Sequence, residues 1–282
     1  MNSYLALVKP KLSLMSVVSV LFGYAIAQTT WDWSVFLYLF VGTFFTAAGA
    51  SAVNQWIEIE EDKLMDRTRN RPLPSGDLKP INALVFGIAL CLIGFFLLWT
   101  KVGHLSSYLV LVTMVLYLFV YTPLKKITPW STEVGAIPGA LPPLVGWAAA
   151  EGTISFFGWV LFGVLFAWQM PHFMAISYRF KDDYRKAGFA MRVLLDNGYR
   201  SASKSSLFYT IVLILVTYVP IQMSWVGSYY MVLYVCLNSF FLYKTIIFYK
   251  AKDKDDSARG LFSASILYLP LILFAMIVDR FV

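Results

Sequence analysis

Nine apolar runs fix what this chain can become. They lie at approximately 12–28, 35–56, 81–100, 105–122, 132–149, 155–178, 206–223, 227–247 and 261–279. Crossing a bilayer takes about 20 mostly apolar residues, and in lipid the backbone must satisfy its own hydrogen bonds. Repeated runs of this length therefore demand helices. Composition agrees, with 59% of residues apolar, 14% charged and a mean hydropathy of +0.67. Soluble domains carry about 25% charged residues. The predicted fold is an all-α polytopic membrane protein with nine transmembrane helices, residues 1–282 forming one transmembrane domain.

The fifth run holds Gly135, Pro138, Gly139, Pro142, Pro143 and Gly146. Its helix should bend or break where neighbours supply backbone partners. The start of the chain lacks a small-residue cleavage pattern, so the first run reads as a retained helix rather than a signal peptide. Cys91 and Cys236 sit in separate apolar runs with no metal-ligand spacing, as packing residues. With the N-terminus placed in the cytoplasm and nine spans, the C-terminus lies outside. All but Lys101 and Arg280 of the 23 Lys and Arg then face inward. This is the positive-inside pattern. The net charge of +7 thus reflects orientation in a membrane and not affinity for nucleic acid. Outer connections are short. Two inner loops, about 57–80 and 179–205, are long and polar, and chemistry concentrates on such loops.

The first inner loop opens with a stripe. Asn54, Glu58, Asp62 and Asp66 are spaced by four. Each step of four drifts roughly 40° around a helix axis, so the first three share a face. Carboxylates this close to hydrocarbon need partners or a task. Three oxygen donors in a row suit a hard divalent cation, and Arg67, Arg69 and Arg71 behind them suit a phosphate. The stripe reads as a metal–diphosphate site at a membrane surface. A solvated, charge-rich loop is the plain alternative.

Three further pieces carry chemistry. In the second loop Asp182 and Asp183 lie among Arg179, Lys181, Arg185 and Lys186. They could hold a second cation and a diphosphate, or form an interfacial helix with snorkelling bases. Lys125, at the inner end of the fourth run, could reach a diphosphate as a point charge or anchor the helix. His172, late in the sixth run, could ligate a haem iron or bond a haem carboxylate, or be satisfied by a neighbouring helix. His104 reads as incidental.

The residues Asn54-x-x-x-Glu58-x-x-x-Asp62, followed by Arg67-Thr-Arg69-Asn-Arg71-Pro-Leu-Pro-Ser-Gly, resemble the first acidic motif of the intramembrane aromatic prenyltransferase superfamily. Four other segments resemble its protohaem IX farnesyltransferase (haem O synthase) branch. They are Tyr121-Thr-Pro-Leu-Lys-Lys-Ile-Thr-Pro-Trp-Ser, Gly135-Ala-Ile-Pro-Gly-Ala-Leu-Pro-Pro, Trp168-Gln-Met-Pro-His-Phe and Asp183-Tyr-Arg-Lys-Ala-Gly. The resemblance covers roughly residues 5–200. It departs at Glu58, where the motif usually has Asp, and in lacking a second Asp-x-x-x-Asp pair.

The resemblance implies nine helices around a central cavity open to the inner face of a bacterial cell membrane. It implies farnesyl diphosphate and haem B as substrates, haem B being no prosthetic group, and Mg²⁺ as cofactor. Asn54, Glu58 and Asp62 would hold the metal, with Asp182 and Asp183 as candidates for a second ion. Arg67, Arg71, Lys125, Arg179 and Lys186 would bind diphosphate, and Lys125 would join the stripe in catalysis. His172 would face haem. A haem A synthase or a second copy of the chain are the protein partners it allows. Two other readings stand beside it. One is prenyl transfer to a quinone-precursor ring. The other is a secondary transporter, disfavoured because the polar residues gather at one membrane face rather than the midplane.

Overall fold

The computed structural model describes residues 3–28 and 30–281, with side chains to residue 279. Met1, Asn2, the outer-loop residue Thr29, Val282 and the side chain of Arg280 lie outside that description. Every regular element among the described residues is a helix. A short α1 (Ser3–Leu7) leads into α2 (Pro10–Ala27), α3 (Trp33–Ile57) and α4 (Ile59–Leu64). After the first long loop come α5 (Pro80–Lys101) and α6 (His104–Val115), which continues as a π-helix over Leu116–Tyr121 into α7 (Thr122–Leu124). Then follow α8 (Ser131–Ala140), α9 (Pro142–Glu151), α10 (Phe156–Arg179) and the short α11 (Lys181–Lys186). The chain closes with α12 (Gly198–Gln222), α13 (Ser228–Lys250) and α14 (Lys254–Phe281).

Eight helical stretches are long and apolar enough to span a bilayer. The expected ninth is the fifth run, and it is not one helix. Pro142 and Pro143 lack the N–H groups that would continue α8, so the run divides at Leu141 into two helices of 10 residues each. Neighbouring helices bond to the backbone of both halves. Gln169 Nε2 donates to Ala136 O at 2.8 Å, and Ser106 Oγ to Val145 O at 3.0 Å. The second long loop is also shorter than expected, because α12 begins at Gly198. Ser201, Ser203 and Ser205 dilute its apolar signal, yet the helix forms by packing against α10. Likewise α14 begins at Lys254, before the apolar run that marks it.

Local sequence sets the ends. Pro10 and Pro80 open α2 and α5, where a missing N–H costs nothing. Asp32 caps α3 by accepting from Ser34 N at 2.8 Å and Val35 N at 3.2 Å. Packing uses small residues, because lipid gives apolar faces no reason to pair. Gly42 and Gly49 of α3 face Gly94 and Gly87 of α5. A Cβ at Gly49 would stand 2.5 Å from Gly87 O, and one at Gly94 would stand 2.5 Å from Gly42 O. Between α2 and α9, a Cβ on Gly146 would collide with Val20 O. The end away from the long loops carries aromatic clusters, Trp31–Trp33–Phe36 and Trp99–His104–Tyr108, as a bilayer interface favours. His104 stacks on Trp99 at 4.2 Å. Cavities open at both ends of the bundle. One of about 450 Å³ lies among Trp147, Glu151, Phe157 and Trp225, and one of about 530 Å³ lies by the loops.

Candidate active site

The stripe is built across a joint. α3 ends at Ile57, and Glu58 (φ −103°, ψ 22°) links it to α4. Backbone bonds still run across, Glu58 N to Asn54 O at 3.0 Å and Asp62 N to Glu58 O at 2.8 Å. The four-residue phase therefore survives the kink. Asn54, Glu58 and Asp62 are all buried, at 4%, 6% and 1% exposure, whereas Asp66 is exposed.

Each buried carboxylate has a cation. Glu58 pairs with Lys125, itself buried. Asp62 Oδ2 takes Arg71 Nη1 at 2.6 Å. Buried charges persist only when paired in this way. Lys125 Nζ also lies 4.9 Å from the Tyr121 ring centre and 5.5 Å from that of Phe189. Asn54 Nδ2 donates to Thr122 Oγ1 at 3.1 Å, and Thr122 donates onward to Tyr117 O at 2.8 Å. That second bond spans five residues and caps the π-helix. The wider turn brings Tyr117 and Tyr121 into parallel stacking at 6.0 Å beside the stripe. π segments recur at functional sites.

Lys9 joins this group. Its charge interacts with Arg71, Asp62, Glu58 and Lys125. Burial, followed by the Arg71 guanidinium, pushes its amine down to about 7. Its backbone is left-handed (φ 42°) directly before Pro10, a conformation costing on the order of 1–3 kcal/mol. The kink between α1 and α2 depends on it. Ser13 Oγ donates to Val8 O at 2.7 Å, and Gln55 Nε2 to Leu7 O at 2.7 Å, holding the kink against α3.

The second loop locks the first. Asp183 accepts from the backbone N–H of Asp66 at 3.1 Å and of Arg67 at 3.4 Å. Lys186 Nζ bonds Asp66 Oδ2, holding the Asp66 carboxyl below its usual range and the Lys186 amine above its own. Arg67 lies over the Phe180 ring at 4.8 Å. Further along, Ala190 N donates to Lys125 O at 2.7 Å, and the half-buried Arg192 pairs with Glu133.

The structure thus gathers Asn54, Glu58, Asp62, Arg71 and Lys125 in one cluster, and Arg67, Asp183 and Lys186 beside it. Three expected residues stand apart. Asp182 is exposed on α11 and pairs with Arg185 at 2.8 Å, because one residue's step turns its carboxylate about 100° around the helix from Asp183 and out to water. Arg179 lies over the Phe262 ring at 5.3 Å, between α10 and α14. His172 is at that same interface, stacked between Trp168 (5.0 Å) and Phe262 (5.1 Å). Its Nδ1 is 2.7 Å from Ser265 Oγ. Ser265 Oγ is also 2.6 Å from Phe262 O; with the hydroxyl proton assigned to that carbonyl, Nδ1 is the donor and Nε2 carries the lone pair. No hydrogen bond joins His172 to the stripe among the described residues.

A buried row of oxygen donors with paired cations thus sits at the mouth of a helical bundle. The model of the UbiA prenyltransferase family matches residues 16–267. The chain belongs to the UbiA prenyltransferase family. Within it, the chain sits among the protohaem IX farnesyltransferases. It is 41% identical over 279 residues to the protein of that name from Opitutus terrae, covering 99% of this chain and 95% of that one. It is also 41% identical over 291 residues to the one from Solibacter usitatus, covering 99% of each. Solved UbiA-type structures share the fold. One described as digeranylgeranylglyceryl phosphate synthase superposes with a TM-score of 0.82 at 20% identity, over 99% of this chain and 97% of that one. A UbiA homolog from Archaeoglobus fulgidus, bound to DMAPP and Mg²⁺, gives 0.69 at 16% identity, over 98% and 99%.

Against this UbiA framework, the residues that sequence reasoning left out of the site are Lys9, Tyr117, Thr122 and Glu133. Lys9 carried a signal that could have found it, a lysine before a proline at the mouth of the first span. The π-helix that brings in Tyr117 and Thr122 has no mark in the sequence.

Proposed function

We propose that this UbiA-family protein transfers a farnesyl group from farnesyl diphosphate to a vinyl group of haem B, with addition of water, to give haem O. The observation that carries this reading is the full-length match, at 41% identity, to proteins named protohaem IX farnesyltransferase. The stripe supplies chemistry that fits it.

The residues also suit magnesium. Glu58 meets Lys125 through Oε1, and the Asn54 carboxamide uses its NH₂ on Thr122, so Glu58 Oε2 and the Asn54 oxygen remain as acceptors. Asn54, Glu58 and Asp62 would hold one ion, and Asp183 a second. Magnesium binds through one or two carboxylates plus substrate phosphate, where it supplies positive charge against the departing diphosphate. The UbiA homolog bound to DMAPP and Mg²⁺ supports this choice.

The chain's own residues do the rest. Arg71 and Lys125, with Lys9 and Lys186 around them, take up charge as the C1–O bond breaks and its electron pair leaves with diphosphate. The faces of Tyr117 and Tyr121 lie where an allylic cation can be stabilised. The vinyl π electrons form the new bond to C1. Water adds to the resulting benzylic-type cation and loses a proton, leaving a hydroxyethylfarnesyl side chain. His172, with Nε2 unprotonated, is in the form that ligates iron. We place the site at the cytoplasmic face of a bacterial inner membrane, on the strength of the basic inner loops. Purified protein with farnesyl diphosphate, haem B and Mg²⁺ should release diphosphate only when both substrates are present. Release that instead requires a hydroxybenzoate or naphthoate acceptor would overturn the choice of haem.

A further inference from the structure

The cavity of about 530 Å³ beside the stripe differs from it in charge. Lys9, Lys11, Arg67 and Asn70 line it, with Arg71 forming the wall it shares with the stripe. No acid lines it. Lys9, Lys11 and Arg67 have no ion-pair partner among the described residues, while Lys125 and Arg71 are already paired. Its remaining wall is apolar: Leu5 and Leu12 are 49% and 63% exposed at the start of the first span, where hydrocarbon begins. A groove with unpaired cations at its polar edge and a lipid-level apolar wall takes an amphiphilic anion.

The diphosphate does not fit this groove best. It needs metal, and the oxygen donors that hold metal lie on the other side of Arg71. Guanidinium and ammonium groups hold a carboxylate by charge-assisted hydrogen bonds with no metal between them. Protohaem has two, side by side, on the edge opposite its vinyl groups.

We propose that this groove binds the two propionates of the tetrapyrrole acceptor, so that the vinyl edge is presented across Arg71 to the prenyl diphosphate. The inference rests on haem being the acceptor. Lys9 bridges the two sites, since it lines the groove and also feels the charges of Glu58 and Asp62. Its left-handed backbone is the strained turn that places it there.

The test uses the full-length protein in neutral detergent, titrated by absorbance with haem B and with its propionate dimethyl ester. Wild type should bind the free acid roughly tenfold tighter than the ester. Lys11→Glu should erase most of that difference and leave KM for farnesyl diphosphate unchanged, and Lys11→Arg should keep it. Equal binding of acid and ester by wild type contradicts the proposal. So does a Lys11→Glu defect that is the same for both ligands, that raises KM for farnesyl diphosphate instead, or that emerges only when anionic lipid is added, which would make the groove a headgroup site. Wild type that binds neither haem nor ester defeats the haem reading itself, which separates the two failures.

Discussion

At the scale of residues, the account turns on Glu58. It stands at the joint between α3 and α4, and its carboxylate is both the partner of buried Lys125 and the middle oxygen donor of the stripe. Glu58→Gln removes the charge and leaves Lys125 buried without a counter-ion, so it should fail twice. We expect kcat to fall about 10²–10³-fold, as when a charge-stabilising group is lost, and the protein to be destabilised by about 3 kcal/mol. Turnover and thermal unfolding in detergent measure the two effects. Glu58→Asp keeps the charge and should retain more of both. The periodic part of this site was legible in the sequence, because Asn54, Glu58 and Asp62 repeat at helical spacing. The cations that neutralise them were legible only as types. Nothing in the chain says that Lys125 pairs with Glu58 rather than Glu61, which takes Lys126, or that Arg71 folds back onto Asp62. Such pairings are settled by tertiary packing over separations that local pattern does not reach.

Among elements, the two inner loops act on each other. The sequence suggested Asp182 and Asp183 as a second ligand set. Asp183 accepts from the backbone of 66 and 67, and Lys186 bonds Asp66, so the pair also ties the loops together. This clasp has a definite pH window. The Asp66 carboxyl is depressed by Lys186, so its contribution holds above the ordinary carboxylate value of 3.8 and is lost as pH falls through the lower folded value. The Lys186 amine is raised by Asp66, so its contribution holds below 10.5 and is lost above that. Protection of the 180–197 loop from protease should therefore be flat near neutrality and decay only in strong acid or base. Lys186→Gln should be cleaved faster throughout, with the acid dependence weakened. The broken fifth span was foreseen from its prolines and glycines, since a missing N–H is a local fact. Its packing was not, since Gly146 matters only because Val20 O lies against it. Gly146→Leu should cost more than the 1–3 kcal/mol typical of overpacking, read as loss of folded protein in detergent.

For the whole molecule, orientation is the claim that carries function, because it puts the stripe and both long loops on one side. Span count came close from hydropathy alone, since length and apolarity are written directly in the chain. Helix starts did not, because α12 and α14 begin in polar residues that become helical only against neighbours. In a background lacking Cys91 and Cys236, a cysteine at Thr153 should react with an impermeant thiol reagent in intact cells. One at Ser75 should react only after the membrane is opened. The reverse pattern would place the site outside.

The most direct measurement of the central claim is the mass of the tetrapyrrole recovered after incubating the purified protein with haem B, farnesyl diphosphate and Mg²⁺. The account predicts a product heavier than haem B by one farnesyl group plus one hydroxyl, absent with Asp62→Asn. Recovery of unchanged haem B from protein shown to bind both substrates would contradict it.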